Sequence, residues 1–282
     1  MPHIRVDSGI EWHYKIEGSG KETLLFLHGW GVDKRIWHQQ VRHFAEKYRV
    51  VTVDLPGHGQ SSWLKINLNS MVHDLRAILE CKKINKVTII SSSLGGLFAL
   101  KLYQAFSQGI QKLSFVGSLP KFARSKDYPY GLNVAQIRRL DNQLKIAYPS
   151  IVNIFFRSLF TKEERENRRF KWLERFRQKD ELPLKEALRE YLDILEHEDL
   201  RDILKKVEAP IQFINGTNDT ICHVRFVDHL KKLVPYARFD YFKNCGHFPF
   251  LSKPHEFNKV LEEFLASKTA SPKSNLKSAH QV

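Results

Sequence analysis

The sequence feature that most constrains the fold is residues 89–96, which read IISSSLGG. The apolar, β-branched run at 87–90 is typical of a buried strand, and residues 97–102 continue as an apolar helix. A strand that turns sharply into a helix, with a serine at the corner, has the geometry of a nucleophile elbow. Such a turn exposes the serine hydroxyl at the carboxyl edge of a sheet. We therefore predict a nucleophilic serine in this stretch.

The positions of the following glycines indicate which of the three consecutive serines is the nucleophile. With Ser93 as nucleophile, Gly95 lies two residues later, where close packing of the helix on the strands favours glycine. With Ser92 as nucleophile that position would be Leu94, and with Ser91 it would be another serine. The sequence therefore predicts Ser93. Two residues before it stands Ser91 instead of the usual glycine, so a Cβ atom must fit into a crowded turn.

The rest of the chain alternates between strands and helices. Strands, most of them nearly continuous in apolar residues, are predicted near residues 23–27, 49–55, 86–90, 112–117, 211–215 and 238–242. Helical segments lie between them, and two shorter strands are predicted near 3–7 and 11–17. Strands that are apolar on both faces are covered on both sides of the sheet. The pattern predicts an α/β fold with a mostly parallel, doubly wound sheet.

Residues 120–198 interrupt this alternation. They contain no strand pattern, and helices are predicted near 133–147, 149–160, 162–178 and 184–196. An all-helical block between two strands of such a sheet predicts a cap over the carboxyl edge, where open α/β sheets bind ligands. We expect a core of residues 1–119 and 199–267, a cap of residues 120–198, and a disordered polar tail at 268–282.

Composition excludes some classes of protein. No apolar run reaches 18 residues, and the N-terminus has no apolar signal core, so we expect neither a membrane span nor export. Three cysteines without CxxC spacing favour reduced thiols and a cytoplasmic location. The net charge of +14 fits either simple solubility or an acidic partner.

The serine needs a base, and the base needs a carboxylate, in the chain order Ser, Asp or Glu, His. Asp219 follows the strand at 211–215, although it could instead cap the next helix. Asp240 is a weaker candidate because it lies inside a strand. His247 follows the last strand, in a loop before the final helix. The predicted triad is Ser93, Asp219 and His247.

Two backbone N–H groups are needed to hold an oxyanion. Leu94, directly after the nucleophile, is one candidate. Trp30, in the HGWG turn that follows the strand at 23–27, is the other. This chemistry requires neither metal nor cofactor, and no ligand cluster in the sequence suggests one.

With these residues placed, residues 10–266 resemble the α/β hydrolases, and more closely the pimeloyl-[acyl-carrier protein] methyl ester carboxylesterases of biotin synthesis. The matching segments are residues 27–31 with Trp37 behind them, 53–59, 93–97, 119–122 leading to 127–129, 199–201 and 246–257. The resemblance implies a serine carboxylesterase that hydrolyses the methyl ester of a carrier-bound pimeloyl group. A general short-chain esterase or thioesterase is the alternative.

The resemblance also suggests substrate-binding residues. Ser92 stands where these esterases typically have tryptophan, which leaves room beside the acyl chain. Trp30 would contact the substrate, and Phe155 and Phe156 could line the acyl channel, although packing of the cap on the core would explain these two phenylalanines as well.

The cap is basic, with fifteen Lys or Arg and eight Asp or Glu between residues 121 and 181. Acyl carrier proteins are acidic, so a basic cap would steer and dock them. Their positions relative to the family that the chain resembles make Arg138, Arg139, Arg157 and Arg165 the docking candidates. The alternative is that these arginines lie on ordinary solvated helix faces and bind no partner. The sequence lacks a nucleic-acid recognition motif, so we expect no such partner. A noncatalytic binding protein on the same fold is a further alternative.

Overall fold

An eight-stranded sheet forms the centre of the computed structural model, which describes residues 2–177 and 182–267. The strands, in chain order, are β1 (His3–Arg5), β2 (Glu11–Glu17), β3 (Thr23–Leu27), β4 (Arg49–Val53), β5 (Val87–Ser92), β6 (Ile110–Val116), β7 (Ile211–Gly216) and β8 (Arg238–Phe242). Their spatial order is β1-β2-β4-β3-β5-β6-β7-β8. β1 and β2 pair antiparallel, and β3 to β8 are parallel to one another. The predicted mostly parallel sheet is confirmed.

Twelve α-helices accompany these strands in the described residues. They are α1 (His38–Phe44), α2 (Leu68–Cys81), α3 (Gly95–Phe106), α4 (Val134–Ala147), α5 (Ser150–Ser158), α6 (Lys162–Glu166), α7 (Arg168–Arg177), α8 (Lys185–His197), α9 (Arg201–Lys205), α10 (Val227–Leu233), α11 (Pro249–Ser252) and α12 (Pro254–Ala266). Two apolar clusters fill the core, and the inner strands β3, β5 and β7 are buried along their whole length. This burial explains why their sequences are nearly continuous in apolar residues.

The order of the strands brings the carboxyl ends of β3 and β5 together. Leu27, the last residue of β3, is in register with Ser91 of β5. The loop after β3 therefore begins beside the turn that follows β5. Parallel strands direct both turns to the same edge of the sheet, which is where open α/β sheets bind ligands.

The segment between β6 and β7, for which we keep the name cap (residues 120–198), contains helices α4 to α8. Its two ends meet: Lys121 forms an isolated antiparallel bridge with Asp199, and the Leu200 N–H donates to the Pro120 carbonyl over 2.8 Å. Two further isolated bridges, at 123 with 132 and 125 with 128, are the extended pairings within the described part of the cap.

The prediction of one continuous helix over 162–178 in the cap was wrong. The helix expected over 162–178 is interrupted at Asn167, which separates α6 from α7. The Asn167 side chain accepts a hydrogen bond from the Arg169 N–H over 2.9 Å and so begins α7 as a cap residue. Asparagine side chains compete in this way with the backbone of a continuing helix.

Within the described residues, no helix is both long enough and apolar enough to cross a membrane. The tail predicted to be disordered, 268–282, lies outside the described residues.

Candidate active site

Ser93 lies at the corner between β5 and α3. Its φ of +52° falls in the left-handed region that non-glycine residues rarely adopt. The Ser93 N–H donates to the Val116 carbonyl over 3.0 Å, and the Ser118 hydroxyl donates to the Ser93 carbonyl over 2.7 Å. The end of β6 thus holds a strained backbone in place, and strain of this kind collects at functional sites.

The two glycines after Ser93 are required by close packing. A Cβ atom on Gly95 would lie 2.6 Å from the His28 carbonyl oxygen, and one on Gly96 would lie 2.0 Å from Ser118 Oγ. Neither neighbour leaves room for a side chain. This packing agrees with the glycine register that singled out Ser93 among the three serines.

The other two serines are buried in β5. Ser91, where a glycine was expected, fits because its hydroxyl donates to the Ser114 carbonyl on β6 over 3.3 Å. Ser92 Oγ is buried and has no hydrogen-bond partner among the described residues. Ser92 is also absent from the lining of the cavity that Ser93 faces. The extra space that was expected beside the acyl chain at Ser92 is therefore not part of this cavity.

His247 and Asp219 are in direct contact. His247 Nδ1 lies 2.7 Å from Asp219 Oδ2, and both side chains are buried. Asp219 Oδ1 accepts the backbone N–H groups of Ile221 and Cys222 over 2.8 and 3.0 Å. Burial alone would raise the pKa of Asp219, but the His247 charge and these hydrogen bonds outweigh burial and lower it. An ionised Asp219 requires the proton on Nδ1, which leaves Nε2 as the basic nitrogen.

The weaker acid candidate, Asp240, lies elsewhere. Its carboxylate accepts from Arg238 on the same strand, with the nearest contact at 2.8 Å, and from Gln212 over 2.8 Å. It is not among the residues that line the cavity. Asp240 therefore serves the pairing of β8 with β7.

Gly117, which the sequence analysis did not single out, allows His247 to approach the sheet. Its φ is +53°, and a Cβ atom there would lie 2.9 Å from His247 Nδ1. The signal was present in the sequence as a glycine directly after strand β6, but its partner, 130 residues later, was not deducible locally.

The turn after β3 is shaped by two buried histidines. His28 Nε2 accepts the Leu55 N–H over 2.9 Å, so its Nδ1 donates to the Gly29 carbonyl at 2.8 Å. His58 Nε2 accepts the Gly31 N–H over 3.3 Å. Burial lowers the pKa of both rings, that of His58 to about 3. Both imidazoles are therefore neutral near pH 7 and act as fixed hydrogen-bonding groups.

This turn passes close to Ser93. A Cβ atom on Gly29 would lie 3.0 Å from Ser93 Cβ and 3.7 Å from Ser93 Oγ. In the part of the chain that the structure describes, the backbone N–H groups of Trp30 and Leu94 have no hydrogen-bond partner. Buried N–H groups are rarely left unpaired unless they serve a ligand. Both residues are thus available as donors beside the serine.

Ser93 and His247 open onto one cavity of about 340 Å³. Trp30 and Phe155 also line it, and their rings meet edge to face at 4.9 Å. The remaining lining residues are mostly apolar: Phe122, Leu132, Gln136, Ile137, Arg139, Leu140, Gln143, Leu159, Leu192, Leu195, Thr220, Ile221 and Phe248. Arg139 is one of the predicted docking residues, whereas the two glutamines and most of the apolar residues were not identified from sequence. The cavity lies between the cap helices α4, α5 and α8 and the loops that carry Ser93 and His247.

Phe156, expected in the channel wall with Phe155, does not line this cavity. It is buried against Phe160, Phe170 and Phe248. Adjacent helical residues point about 100° apart, so one of the two faces the cavity and the other packs the cap onto the core. For Phe156, packing of the cap on the core is the correct alternative.

The four predicted docking arginines differ in their surroundings. Arg138 pairs with Glu196 at 2.6 Å, Arg157 pairs with Glu174, and Arg165 donates to the Arg157 carbonyl over 3.2 Å. Arg139 is exposed and lines the cavity, and its side chain has no hydrogen bond or ion pair within residues 2–177 and 182–267. Its charge is therefore the least compensated of the four.

Asp219, Cys222 and His247 also place three potential metal-ligand atoms within 4.8 Å of one another. Each of these atoms is engaged in a hydrogen bond, with Cys222 Sγ lying 3.0 Å from the Gly117 carbonyl. Burial raises the pKa of the Cys222 thiol well above its ordinary value, so the sulfur stays protonated. Because each candidate ligand atom already has a partner within the protein, the cluster fits a hydrogen-bonded arrangement better than a metal site.

Comparisons with known proteins identify the fold family of the chain. An alpha/beta hydrolase fold family model matches residues 22–254. Among curated proteins, a pimeloyl-[acyl-carrier protein] methyl ester esterase of Wigglesworthia glossinidia brevipalpis is 32% identical over 89% of this chain and 96% of its own. The protein of the same name from Nitrosomonas europaea is 30% identical over 87% of this chain and 96% of its own.

Solved structures support the fold alone. An esterase from Exiguobacterium antarcticum superposes with a TM-score of 0.84 at 24% identity and covers 94% of this chain and 99% of its own. A bromoperoxidase from Bacillus anthracis reaches the same TM-score and identity over 93% of this chain and 97% of its own. The fold, the elbow and the sequence relatives together establish that this chain belongs to the α/β hydrolase fold family, in which it is similar to the pimeloyl-[acyl-carrier protein] methyl ester esterases.

Proposed function

We propose that this protein is a serine carboxylesterase with Ser93, His247 and Asp219 as its catalytic triad. One observation carries the proposal: Ser93 and His247 open onto one cavity, and His247 Nδ1 is held by buried Asp219 at 2.7 Å. This arrangement matches the division of roles that acyl transfer requires. The α/β hydrolase family of the chain supports hydrolysis as the reaction class.

In this mechanism Ser93 Oγ attacks the ester carbonyl while His247 Nε2 takes the hydroxyl proton. Asp219 stabilises the imidazolium and fixes its orientation. The unpaired N–H groups of Trp30 and Leu94 hold the oxyanion. His247 then protonates the departing alkoxide, and the alcohol leaves. Water, deprotonated by His247, attacks the acyl-enzyme, and collapse of the second oxyanion releases the acid and restores Ser93.

We further propose that the substrate is the methyl ester of a pimeloyl group carried by an acyl carrier protein. The names of the relatives at 30–32% identity support this substrate class. The mostly apolar walls of the cavity suit an alkyl chain. The division into a core (1–119 and 199–267) and a cap (120–198) belongs to the same proposal, since the cap would cover the acyl chain.

Arg139 is the docking residue that the geometry favours. It lies at the cavity and has no partner in the described residues, whereas Arg138, Arg157 and Arg165 are each bonded within the protein. An uncompensated cation attracts an acidic carrier more strongly than one that already has a carboxylate partner.

The catalytic proposal is tested by labelling with a fluorophosphonate probe. The wild-type chain should be labelled, and Ser93→Ala should not. Ser91→Ala and Ser92→Ala provide matched controls within the same triple serine and should still react. Absence of labelling in the wild-type chain would support the noncatalytic alternative. Labelling of Ser93→Ala would show that another residue is the nucleophile.

The carrier proposal is tested by comparing two adjacent cations. We expect Arg139→Gln to lower kcat/KM for the carrier-bound methyl ester about tenfold at low salt, through slower association, and Arg138→Gln to change it less. Turnover of a p-nitrophenyl ester should be unchanged in both. Increasing salt should suppress only the carrier-bound reaction. An equal response of the two substrates would contradict the carrier proposal.

A general short-chain carboxylesterase or thioesterase is the second candidate. It is favoured by the internal pairing of Arg138 and Arg157, which leaves less free charge on the cap than the sequence implies. Complementation of a biotin-requiring esterase deletion strain separates the two. Growth with the wild-type chain, but not with Ser93→Ala, would support the specific substrate; failure of the wild-type chain would favour the general esterase.

A further inference from the structure

The loop that carries His247 is held from two sides. On the sheet side, the Asn218 N–H donates to the Cys245 carbonyl over 2.9 Å. On the other side, the cap supplies both partners. The His247 N–H donates to the Leu159 carbonyl over 2.8 Å, and the Gly246 N–H donates to Glu164 Oε2 over 3.0 Å. The backbone of the proposed catalytic base is therefore bonded directly to the cap.

Glu164 is itself fixed by the start of α6. Its Oε2 accepts the Thr161 N–H over 2.7 Å, and its own N–H donates to Thr161 Oγ1 over 3.1 Å, which together form a capping box. One carboxylate oxygen thus accepts from two backbone N–H groups, one on the cap and one on the His247 loop. Glu164 Oε1 also lies 3.2 Å from the Gly246 N–H, and the Cys245 thiol hydrogen-bonds to the same carboxylate; burial and this carboxylate raise the pKa of that thiol. No ion pair to Glu164 occurs among the described residues, so its charge is satisfied by the two backbone amides and this thiol.

The contact is too close for any other residue at position 246. A Cβ atom on Gly246 would lie 2.3 Å from the Leu159 carbonyl oxygen and 2.9 Å from Glu164 Oε2. Phe248, on the other side of His247, packs against Phe160 of the cap at 5.7 Å between ring centroids. The loop is thus docked onto the cap by backbone and by side chain.

We propose that Glu164 is a positioning residue that sets the orientation of His247 through the Gly246 amide. This inference rests on the proposed catalytic role of His247. The Asp219 hydrogen bond fixes the ring end of the side chain, and the cap contacts fix the backbone end. A displacement of about 1 Å in a catalytic group can cost on the order of 100-fold in rate. The cap therefore contributes to the reaction rate as well as to the cavity wall.

Four variants test this role, with rates expressed per active site titrated by the fluorophosphonate. Glu164→Ala removes both acceptor contacts, and we expect kcat for a p-nitrophenyl ester to fall about 10- to 100-fold with little change in KM. Glu164→Gln should restore kcat to within about threefold of wild type, because one side-chain oxygen already accepts from both amides. The conservative variant thus separates hydrogen bonding from charge.

The two controls isolate the other functions of this turn. Thr161→Ala weakens the cap of α6 but leaves the Glu164 carboxylate available to Gly246. Glu163→Gln removes a neighbouring exposed charge. Both should keep wild-type kcat. The proposal is overturned if Glu164→Ala keeps wild-type kcat per titrated site, if its loss appears only in KM, or if Thr161→Ala loses as much.

A readout that does not need turnover separates this inference from the proposed function. The proton between His247 Nδ1 and Asp219 should give a low-field NMR resonance in the wild-type chain and in Glu164→Gln, and that resonance should shift or broaden in Glu164→Ala. An unchanged resonance in Glu164→Ala would overturn the positioning role. A wild-type chain that the fluorophosphonate does not label would instead overturn the proposed esterase.

Discussion

Ser91 and Ser92 are adjacent on β5, yet their hydroxyl groups differ in hydrogen bonding. Ser91 Oγ donates to the Ser114 carbonyl, whereas buried Ser92 Oγ has no partner among the described residues. We expect Ser91→Ala to lower the free energy of unfolding by about 1 kcal/mol, and Ser92→Ala to leave it unchanged or raise it, since no hydrogen bond is lost. Urea unfolding of the two variants measures the difference; a larger loss in Ser92→Ala would contradict it.

The two aspartates considered for the triad give a second prediction at the residue scale. Asp219→Asn should lower kcat by about 10³-fold or more with KM little changed, because the amide no longer holds His247 in the right tautomer. Asp240→Asn, which affects only the contacts with Arg238 and Gln212, should retain kcat. Ester hydrolysis by both variants, at matched active-site concentration, is the measurement. A large loss of kcat in Asp240→Asn alone would reverse the assignment.

His58 gives a prediction for acid. The unfolded chain binds a proton below pH 6.5, whereas burial holds the pKa of folded His58 at about 3. The contribution of His58 to stability is therefore complete above pH 6.5 and is lost as the pH falls towards 3, by up to about 1.4 kcal/mol per pH unit. In His58→Gln the slope of unfolding free energy against pH should flatten between pH 6 and 4. Urea titrations at several pH values measure it, and an unchanged slope would contradict the assignment.

At this scale, the residues deducible from sequence were those fixed by local pattern. Ser93 follows from the spacing of two glycines, and Asp219 and His247 follow from their positions just after strands. Phe155 and Phe156 could not be separated, because which one faces the cavity depends on how α5 is rotated. Glu164 could not be assigned a role from sequence, because its contact with Gly246 joins residues 82 positions apart.

At the scale of elements, the packing of α3 on the sheet determines which positions of the elbow can carry a side chain. Gly95 and Gly96 admit no side chain, but Ser91 lies on β5 and has room for its Cβ. We expect Ser91→Gly, which restores the usual elbow pattern, to preserve activity and to cost about 1–2 kcal/mol for the flexibility of a strand glycine and the lost hydrogen bond. Thermal unfolding together with ester hydrolysis measures both, and a marked loss of activity would contradict this account.

Hydrophobic periodicity could not predict where the cap helices begin and end. The helical character of the cap was deducible from composition and spacing, but the interruption at Asn167 was not, since an asparagine is compatible with a helix interior on pattern alone. The break depends on a side-chain hydrogen bond to the Arg169 N–H. The order of the strands likewise follows from tertiary packing. Alternation predicted a parallel sheet but could not say that β3 lies between β4 and β5.

On the scale of the whole molecule, charge and compensation must be considered together. The net charge of +14 is a property of the sequence, but several cap arginines are paired with carboxylates across helices, as Arg138 with Glu196 and Arg189 with Asp141. Counting charges therefore overstates the attraction of the surface for an acidic partner. The uncompensated Arg139 is a better guide to where such a partner would act.

The two ends of the cap meet where Lys121 is bridged to Asp199 and the Pro120 carbonyl accepts the Leu200 N–H. The chain thus leaves the sheet and returns to it at neighbouring points. A segment inserted in this way can be lengthened, shortened or exchanged as a cassette without altering the distance that the flanking strands must span. The proposed role of Glu164 limits such an exchange. A replacement cap that lacks a hydrogen-bond acceptor for the Gly246 N–H would change the substrate specificity but leave His247 wrongly oriented.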